Sequence, residues 1–310
     1  MKNDENDKLL LVTGTPHVRD HADIEKIMGD VIIALLPACV MGAYTFGPRA
    51  AAAMLVSVAS CVFFEYLFEK ITKRPVTIRD LSAVVTGLLL AMNLPPTVPL
   101  WLPAVGGAFA IIVVKQLFGG LGQNFMNPAL AARAFLLASY PALMTNWVID
   151  GVSSATPLAR LKAGGFTPQG VDYFNAAAGH IGGCIGETSA IALIIGGAYL
   201  LAKGVVSWRI PFAYLAVFAL FSAFFGRPTG YELLTGGLLL GAFFMATDYS
   251  SSPVSPLGQL AMGAGCGALT ALIRSFGGYP EGVSYSILLM NLAVPLLDKI
   301  KPRVYGHKKR

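Results

Sequence analysis

The sequence predicts an all-α polytopic membrane protein, with about ten transmembrane helices in two inverted five-helix repeats. Hydrophobic residues make up 55% of the 310 residues and charged residues only 13%, against roughly a quarter charged in soluble domains. The mean hydropathy is +0.63. Apolar runs recur between polar or Pro/Gly-rich breaks, and a helix needs about twenty apolar residues to cross roughly 30 Å of hydrocarbon.

The predicted helices follow a mixed, charged segment that lacks the pattern of a cleaved secretory signal. The apolar runs number ten, and the third and eighth are short. They are Asp30–Phe46, Ala50–Phe68, Leu81–Leu94, Leu100–Phe118, Pro128–Trp147, Ile181–Ala202, Ile210–Phe225, Leu233–Thr247, Leu257–Phe276 and Val283–Leu297.

Basic residues predict the orientation, because short cytoplasmic loops retain Lys and Arg. With the amino terminus inside, the cytoplasmic side receives Lys70, Lys73, Arg74, Arg79, Lys203, Arg209, Lys299, Lys301, Arg303, Lys308, Lys309 and Arg310. The outer side keeps only Arg49, Arg160, Lys162 and Arg227. An even number of helices returns the carboxyl terminus to the cytoplasm. The net charge of +6 is then explained by topology, and we expect the lipid bilayer, not a nucleic acid, to be the partner of this surface.

Two short sequence matches predict an internal repeat. Gly87–Leu90 reads like Gly237–Leu240, and Phe118–Gly120 reads like Phe276–Gly278. Because the third and eighth helices run in opposite directions in this topology, the repeat is inverted. A chance match between common Gly-Leu runs is the alternative. Inverted repeats are typical of channels and secondary transporters, which bind small solutes near the midplane, and this is the alternative function.

The predicted repeat divides the chain into five parts. They are a cytoplasmic segment (1–29), a first transmembrane repeat (30–147), an outer loop (148–180), a second transmembrane repeat (181–297) and a basic cytoplasmic tail (298–310).

Four of the charged residues in or near the predicted helices are candidates for a functional role or for burial. Glu65 and Glu187 suggest an ion or proton path or a buried polar pair, because a carboxylate inside a membrane is costly; a position at the interface is the alternative. Arg133 lies deeper and cannot lose its proton, so it should face protein and could pair with a flavin or a carboxylate. Lys115 is expected to extend to water at the inner end of its helix.

The four cysteines lie in apolar stretches without metal-ligand or disulfide spacing. They are Cys39, Cys61, Cys184 and Cys266. An iron–sulfur cluster here would need ligands from another chain as well.

The predicted outer loop begins with Asp150-Gly151-Val152-Ser153-Ser154-Ala155-Thr156-Pro157. A Thr hydroxyl in this stretch could take a phosphoester, since Pro157 favours an extended chain just before it. The alternative is a solvated Ser/Thr turn.

Asp150–Thr156 resembles the flavinylation motif D-x-x-[ST]-[SG]-A-T of flavoprotein subunits in ion-translocating oxidoreductases. Nearly the whole chain also resembles the family that contains the D subunit of the Rnf complex and the B subunit of the sodium-translocating NADH:quinone reductase, and its length favours the former. The matching stretches are Gly87–Pro96, Gly122–Leu130 and Ala246–Pro253.

The resemblance implies a specific chemistry. FMN is joined through its phosphate to Thr156 by a flavin transferase, and Asp150, Ser153, Ser154 and Ala155 are recognition positions. The complex would couple electron flow between ferredoxin and NAD to Na⁺ or H⁺ movement, in a bacterial or archaeal cytoplasmic membrane. Since this chain has no GxGxxG motif and no ferredoxin-type cysteine run, a second flavoprotein and iron–sulfur subunits would handle those steps.

Polar breaks complete the set of candidate residues. Asn93 and Asp248 follow the two short helices, and Asn127-Pro128 opens the fifth, where backbone N–H groups favour anions or oxygen-rich ligands. If the repeat holds, these breaks face one another across a central cavity. That cavity could hold a second, noncovalent flavin such as riboflavin, or a cation. Ordinary helix capping is the alternative at each residue.

Overall fold

The computed structural model describes residues 23–149, 152–153, 158, 161, 173–179, 182–278 and 282–300, and these are mostly helical. The helices are α1 Ile24–Phe46, α2 Pro48–Ile71, α3 Ser82–Met92, α4 Trp101–Ala108, α5 Pro128–Ser139, α6 Pro141–Met144, α7 Tyr173–Ala178, α8 Ala190–Ala202, α9 Arg209–Phe224, α10 Thr229–Leu234, α11 Leu238–Leu240, α12 Pro256–Phe276 and α13 Val283–Leu297. Two π-helices extend α4 and α11, over Phe109–Gln116 and Gly241–Met245. Single 3₁₀ turns cover Ile78–Asp80 and Ile185–Glu187.

Three of the described helices, α1, α2 and α12, are long and apolar enough to cross a membrane. Six further apolar helices of 10–17 residues lie among them. The predicted third helix is short, as expected, at 11 residues. The predicted eighth helix consists of α11 and its π-helical extension. The all-helical, multi-spanning character is therefore confirmed, with one two-residue antiparallel pair, Val148–Ile149 against Val152–Ser153 (β1 and β2), as a small addition.

The predicted fifth helix is shorter than the apolar run suggested. The prediction continued it to Trp147, but α5 ends at Ser139, and Pro141 begins the separate helix α6. Tyr140 adopts φ −132° and ψ 57°, outside the helical region, because the ring of a following proline disfavours helical backbone at the preceding residue. The apolar run is therefore one stretch of sequence that the proline divides into two helices.

Close helix packing depends on glycines at two crossings. A Cβ on Gly263 would lie 2.6 Å from the Ile210 carbonyl oxygen, and a Cβ on Gly267 would lie 2.6 Å from the Tyr214 carbonyl oxygen. These two glycines are one helical turn apart and let α12 approach the backbone of α9, as in small-xxx-small pairs of membrane helices. A Cβ on Gly196 of α8 would overlap the carbonyl of an alanine of α1 in the same way, and this crossing joins the two halves of the chain.

We expect Gly267→Ala to lower the free energy of unfolding by about 1–3 kcal/mol, because the added methyl meets backbone that cannot move aside. Gly265→Ala is the matched control. A Cβ at Gly265 meets the flexible end of Met290 instead, and alanine is the better helix former. Titration of both variants with denaturing detergent measures the difference. Equal stability of the two would contradict the proposed crossing.

Candidate functional site

The polar breaks of the two halves meet in the interior of the structure. The Asn93 side-chain nitrogen lies 3.6 Å from the Met245 sulfur, at the end of the second π-helix. The Asn127 side-chain amide donates to the Met245 carbonyl at 3.3 Å. Two breaks of the first half therefore lie directly against the end of the eighth helix, and the cavity lies beside this contact.

Asn127 is also the N-cap of α5. Its side-chain oxygen accepts from the backbone N–H of Ala129 at 3.0 Å and of Leu130 at 3.3 Å, and Pro128 occupies the first helical position. The capping alternative is thus realised at this residue. Both roles coexist, because the same side chain caps α5 with its oxygen, reaches across to Met245 with its nitrogen, and lines the neighbouring cavity.

Two adjoining cavities form one cleft beside these breaks. Their volumes, which include the open space outside their mouths, are about 730 and 920 Å³. Both are lined by Met28, Leu121, Asp248, Tyr249 and Ser250. The inner cavity adds polar groups from both halves of the chain. These are Ser82, Thr86, Lys115, Asn124, Asn127 and Thr247.

Asp248 is the carboxylate that lines both cavities of the cleft. It accepts hydrogen bonds from the Ser250 hydroxyl at 3.2 Å and from the Ser251 hydroxyl at 2.9 Å. Its burial raises the pKa of the carboxyl above the ordinary value, and the hydrogen bonds from Ser251 and Ser250 oppose this rise. The residue lies at a break after the eighth helix, where the sequence predicted it.

Lys115 does not extend to water, and the prediction for this residue was wrong. Its ammonium lies 2.6 Å from Glu65 Oε1 and 2.6 Å from Ser82 Oγ, and only 2% of the residue is exposed. Gln116 also donates to Glu65 Oε1, at 2.9 Å. Burial removes water from the Lys115 ammonium, and the Glu65 carboxylate of α2 compensates for this lost hydration. Glu65 is accordingly part of a buried polar pair, one of the two roles predicted for it.

Arg133 lies at the junction of the two halves. Its guanidinium donates to Asn93 Oδ1 at 3.3 Å, to Ser284 Oγ at 2.6 Å and to the Cys184 sulfur at 3.6 Å. It faces protein, as predicted, and is buried. Within the part of the chain that the structure describes, Arg133 does not line the cleft. Its place is structural, since it holds the third-helix break against α13.

A second buried charged cluster was missed by the sequence prediction. Arg274, near the end of α12, is fully buried and donates to the carbonyl oxygens of Glu232 at 2.8 Å, Thr235 at 3.1 Å and Gly236 at 3.0 Å. Arg227 forms an ion pair with the Glu232 carboxylate at 2.5 Å. The sequence feature that could have revealed this cluster is Arg274 itself, an arginine inside the apolar run Leu257–Phe276.

Glu187 is also buried, at 5% exposure. Its Oε2 accepts from the Cys184 backbone N–H at 3.4 Å, while no hydrogen-bond partner of Oε1 lies among the described residues. The carboxylate is packed against Gly183 and Gly237. It therefore lies inside the protein.

Most of the predicted flavin motif lies outside the described residues. This concerns Asp150, Ser154, Ala155 and Thr156, while Ser153 belongs to strand β2. The chain is described again at Leu158, which is buried, and at Leu161. The roles predicted within the motif therefore stay predictions.

Comparison with known proteins identifies the family. The sequence profile of the NQR2, RnfD, RnfE family matches residues 11–306. The chain belongs to this family. The resemblance predicted from its motifs is confirmed, and as a member of the NQR2, RnfD, RnfE family the chain is a multi-pass membrane protein whose relatives are subunits of ion-translocating oxidoreductases.

Three relatives within the family cover nearly the whole chain. The D subunit of the Na⁺-translocating ferredoxin:NAD⁺ oxidoreductase complex of Acetobacterium woodii is 53% identical over 97% of this chain and 96% of its own length. The D subunit of the proton-translocating ferredoxin:NAD⁺ oxidoreductase complex of Clostridium ljungdahlii is 42% identical over 97% of each. The D subunit of the ion-translocating oxidoreductase complex of Shewanella amazonensis is 38% identical over 96% of this chain and 98% of its own.

Proposed function

We propose that this chain is the membrane flavoprotein subunit, of the RnfD type, in an ion-translocating ferredoxin:NAD⁺ oxidoreductase complex. FMN is bound through a phosphoester to Thr156, relays electrons at the outer face, and the complex couples this flow to Na⁺ or H⁺ translocation. The observation that carries the proposal is the Asp150–Thr156 motif in a chain that aligns along 97% of its length with the D subunits of two such complexes. The flavin supplies the redox chemistry, while the protein supplies position and electrostatics.

The complex would include a second flavoprotein and iron–sulfur subunits, and a flavin transferase would mature this chain. Contacts within the structure support the ten-span topology that such a role needs. Hydrogen bonds and ion pairs connect segments predicted to lie on one side of the membrane. On the predicted cytoplasmic side, Asp30 contacts Lys203, and the Val254 N–H donates to Asp298. On the predicted outer side, Thr97 accepts from an arginine, Arg49, and donates to the Asn146 carbonyl.

Two buried basic residues support the inverted repeat. Lys115 precedes Phe118–Gly120 and binds Ser82, six residues before the Leu88–Leu90 run. Arg274 precedes Phe276–Gly278 and binds the Glu232 carbonyl, six residues before the Leu238–Leu240 run. Lys115 lies three residues before Phe118 and Arg274 two residues before Phe276, so neighbouring positions of the two halves each carry a buried basic residue. In the proposed topology, the two clusters lie at opposite faces of the membrane.

The cleft suits a second, noncovalent flavin. Its walls are mostly apolar, and Asn124, Asn127 and Thr86 are among the polar residues that line them, which is the usual composition of a small-molecule pocket. The only lysine among the described lining residues of either cavity is Lys115, and Glu65 neutralises its charge. A flavin without a phosphate, such as riboflavin, matches this lining better than FMN.

Filling the inner cavity should remove the noncovalent flavin. We expect Thr86→Phe to lower the acid-extractable flavin per protein at least about fivefold, since the larger ring occupies the pocket. Thr86→Ser, which keeps the hydroxyl bonded to the Ser82 carbonyl, should retain it. Acid precipitation separates this flavin from the covalent one, which stays in the pellet. Unchanged extractable flavin in Thr86→Phe would contradict this site.

The proposed covalent flavin is tested directly in the wild-type chain. Protein made with an active flavin transferase should give a fluorescent band after denaturation, and a peptide that spans residues 150–157 should be heavier by one FMN moiety less water. Protein made without the transferase is the control. A non-fluorescent band in both preparations would contradict the proposal and would favour the alternative, a channel or secondary transporter with an inverted repeat.

A further inference from the structure

Two leucines that follow the proposed attachment site are held by the protein. Leu158 and Leu161 follow Thr156 by two and five residues, and each contacts a described part of the protein. Leu158 is only 2% exposed. Such burial in a predicted outer loop, where most side chains would face water, indicates a built contact surface.

Leu158 packs against the turn that precedes α11. A Cβ on Gly236 would overlap Leu158 Cδ1 and would lie 2.8 Å from the Arg274 guanidinium. Gly236 has φ +72°, a left-handed conformation that favours glycine. Position 236 thus requires glycine for two reasons. Its backbone angle is left-handed, and Leu158 fills the space that a Cβ would occupy.

Arg274 fixes this turn to the transmembrane scaffold. Its guanidinium donates to three carbonyl groups of the turn, those of Glu232, Thr235 and Gly236. A planar guanidinium holds several acceptors in a fixed geometry. Leu158 therefore rests on backbone that is fastened to the long helix α12.

Leu161 has a second contact surface. It packs with the cluster of Ala176 and Tyr231, from α7 and α10. The Tyr231 ring meets Tyr173 edge to face, with 6.1 Å between ring centroids. Two independent contacts therefore hold Leu158 and Leu161 against the segment from α10 to the turn at Gly236.

We propose that Leu158 and Leu161 form an anchor that fixes the covalent flavin in position for electron transfer. This inference rests on the proposed function of Thr156. Chain connectivity keeps the Thr156 Cα within about 7 Å of the Leu158 Cα, since two residues span no more. The anchor therefore limits the travel of the flavin attachment point relative to the scaffold. Leu158 is a positioning residue, because it acts through the backbone and does not react.

The anchor is tested in full-length protein that carries the flavin. Leu158→Ala should leave covalent flavin at the wild-type level, because the motif that the transferase recognises is intact. It should lower the fluorescence anisotropy of the bound FMN by about half, and slow electron transfer through the assembled complex by about tenfold, since small misplacements of reacting groups are costly. Leu158→Met, which refills the space, should restore both.

Leu220→Ala is the matched control, because Leu220 is a leucine of α9 with 67% of its surface exposed. It should leave anisotropy and electron-transfer rate unchanged. The anchor is overturned if Leu158→Ala carries the flavin with wild-type anisotropy and rate. It is also overturned if Leu158→Met fails to restore either. Failure of the proposed function differs from both results, because then the wild-type chain itself has no covalent flavin.

Discussion

Thr156→Ala is expected to abolish the covalent flavin entirely. A phosphoester needs the hydroxyl oxygen of its acceptor residue, and alanine has none. The denatured band should lose its ultraviolet fluorescence, and the assembled complex should lose electron transfer from reduced ferredoxin to NAD⁺ to below about 1% of wild type, as expected when a cofactor that performs the chemistry is absent. In-gel fluorescence and a reconstituted electron-transfer assay measure the two effects.

The same loop offers a matched control. Thr167 also precedes a proline, Pro168, but lacks the upstream Asp-x-x-Ser-Ser-Ala sequence of Thr156. Thr167→Ala should therefore keep full fluorescence and activity. Fluorescence that persists in Thr156→Ala would refute this attachment site. Loss of fluorescence in Thr167→Ala would assign the attachment site to Thr167 instead. Normal electron transfer in a non-fluorescent Thr156→Ala complex would instead favour a scaffold without its own carrier.

The sequence predicted those features that depend on local composition. Nine of the ten predicted helices overlap an apolar helix of 10 or more residues in the described chain, because lipid-compatible runs are continuous in sequence. The breaks at Asn93, Asn127 and Asp248 were also predicted, since Pro and Gly mark them. The contact of Asn93 and Asn127 with Met245 was not predicted, because it depends on how the two halves cross.

The contacts that the sequence did not predict join residues far apart in the chain. Lys115 and Glu65 are 50 residues apart, and a lysine near a helix end reads equally well as an interfacial group. Arg274 lies 38 residues from Gly236, so its hold on the turn is invisible without the packing of α12. The burial of Leu158 likewise depends on Gly236, whose role shows only once both are placed.

Removal of Lys115 alone should destabilise the protein strongly. Lys115→Met leaves Glu65, which is 0% exposed, as a buried carboxylate with Gln116 as its remaining donor. Breaking a buried ion pair from one side costs about 3–5 kcal/mol, because the other charge stays uncompensated. We expect the free energy of unfolding in mixed micelles to fall by this amount, and the yield of folded protein to fall with it.

The double variant Glu65→Met/Lys115→Met separates charge pairing from packing. It removes both charges and keeps side chains of similar length, so its stability should return to within about 1 kcal/mol of wild type. Additive losses in the double variant would show that the two residues are not coupled. A stable but inactive double variant would indicate that the pair also contributes to function, since Lys115 lines the cleft proposed for the second flavin. The comparison of the single and double variants reports on the ion pair in either case, because methionine preserves the packing of the apolar part of the lysine side chain.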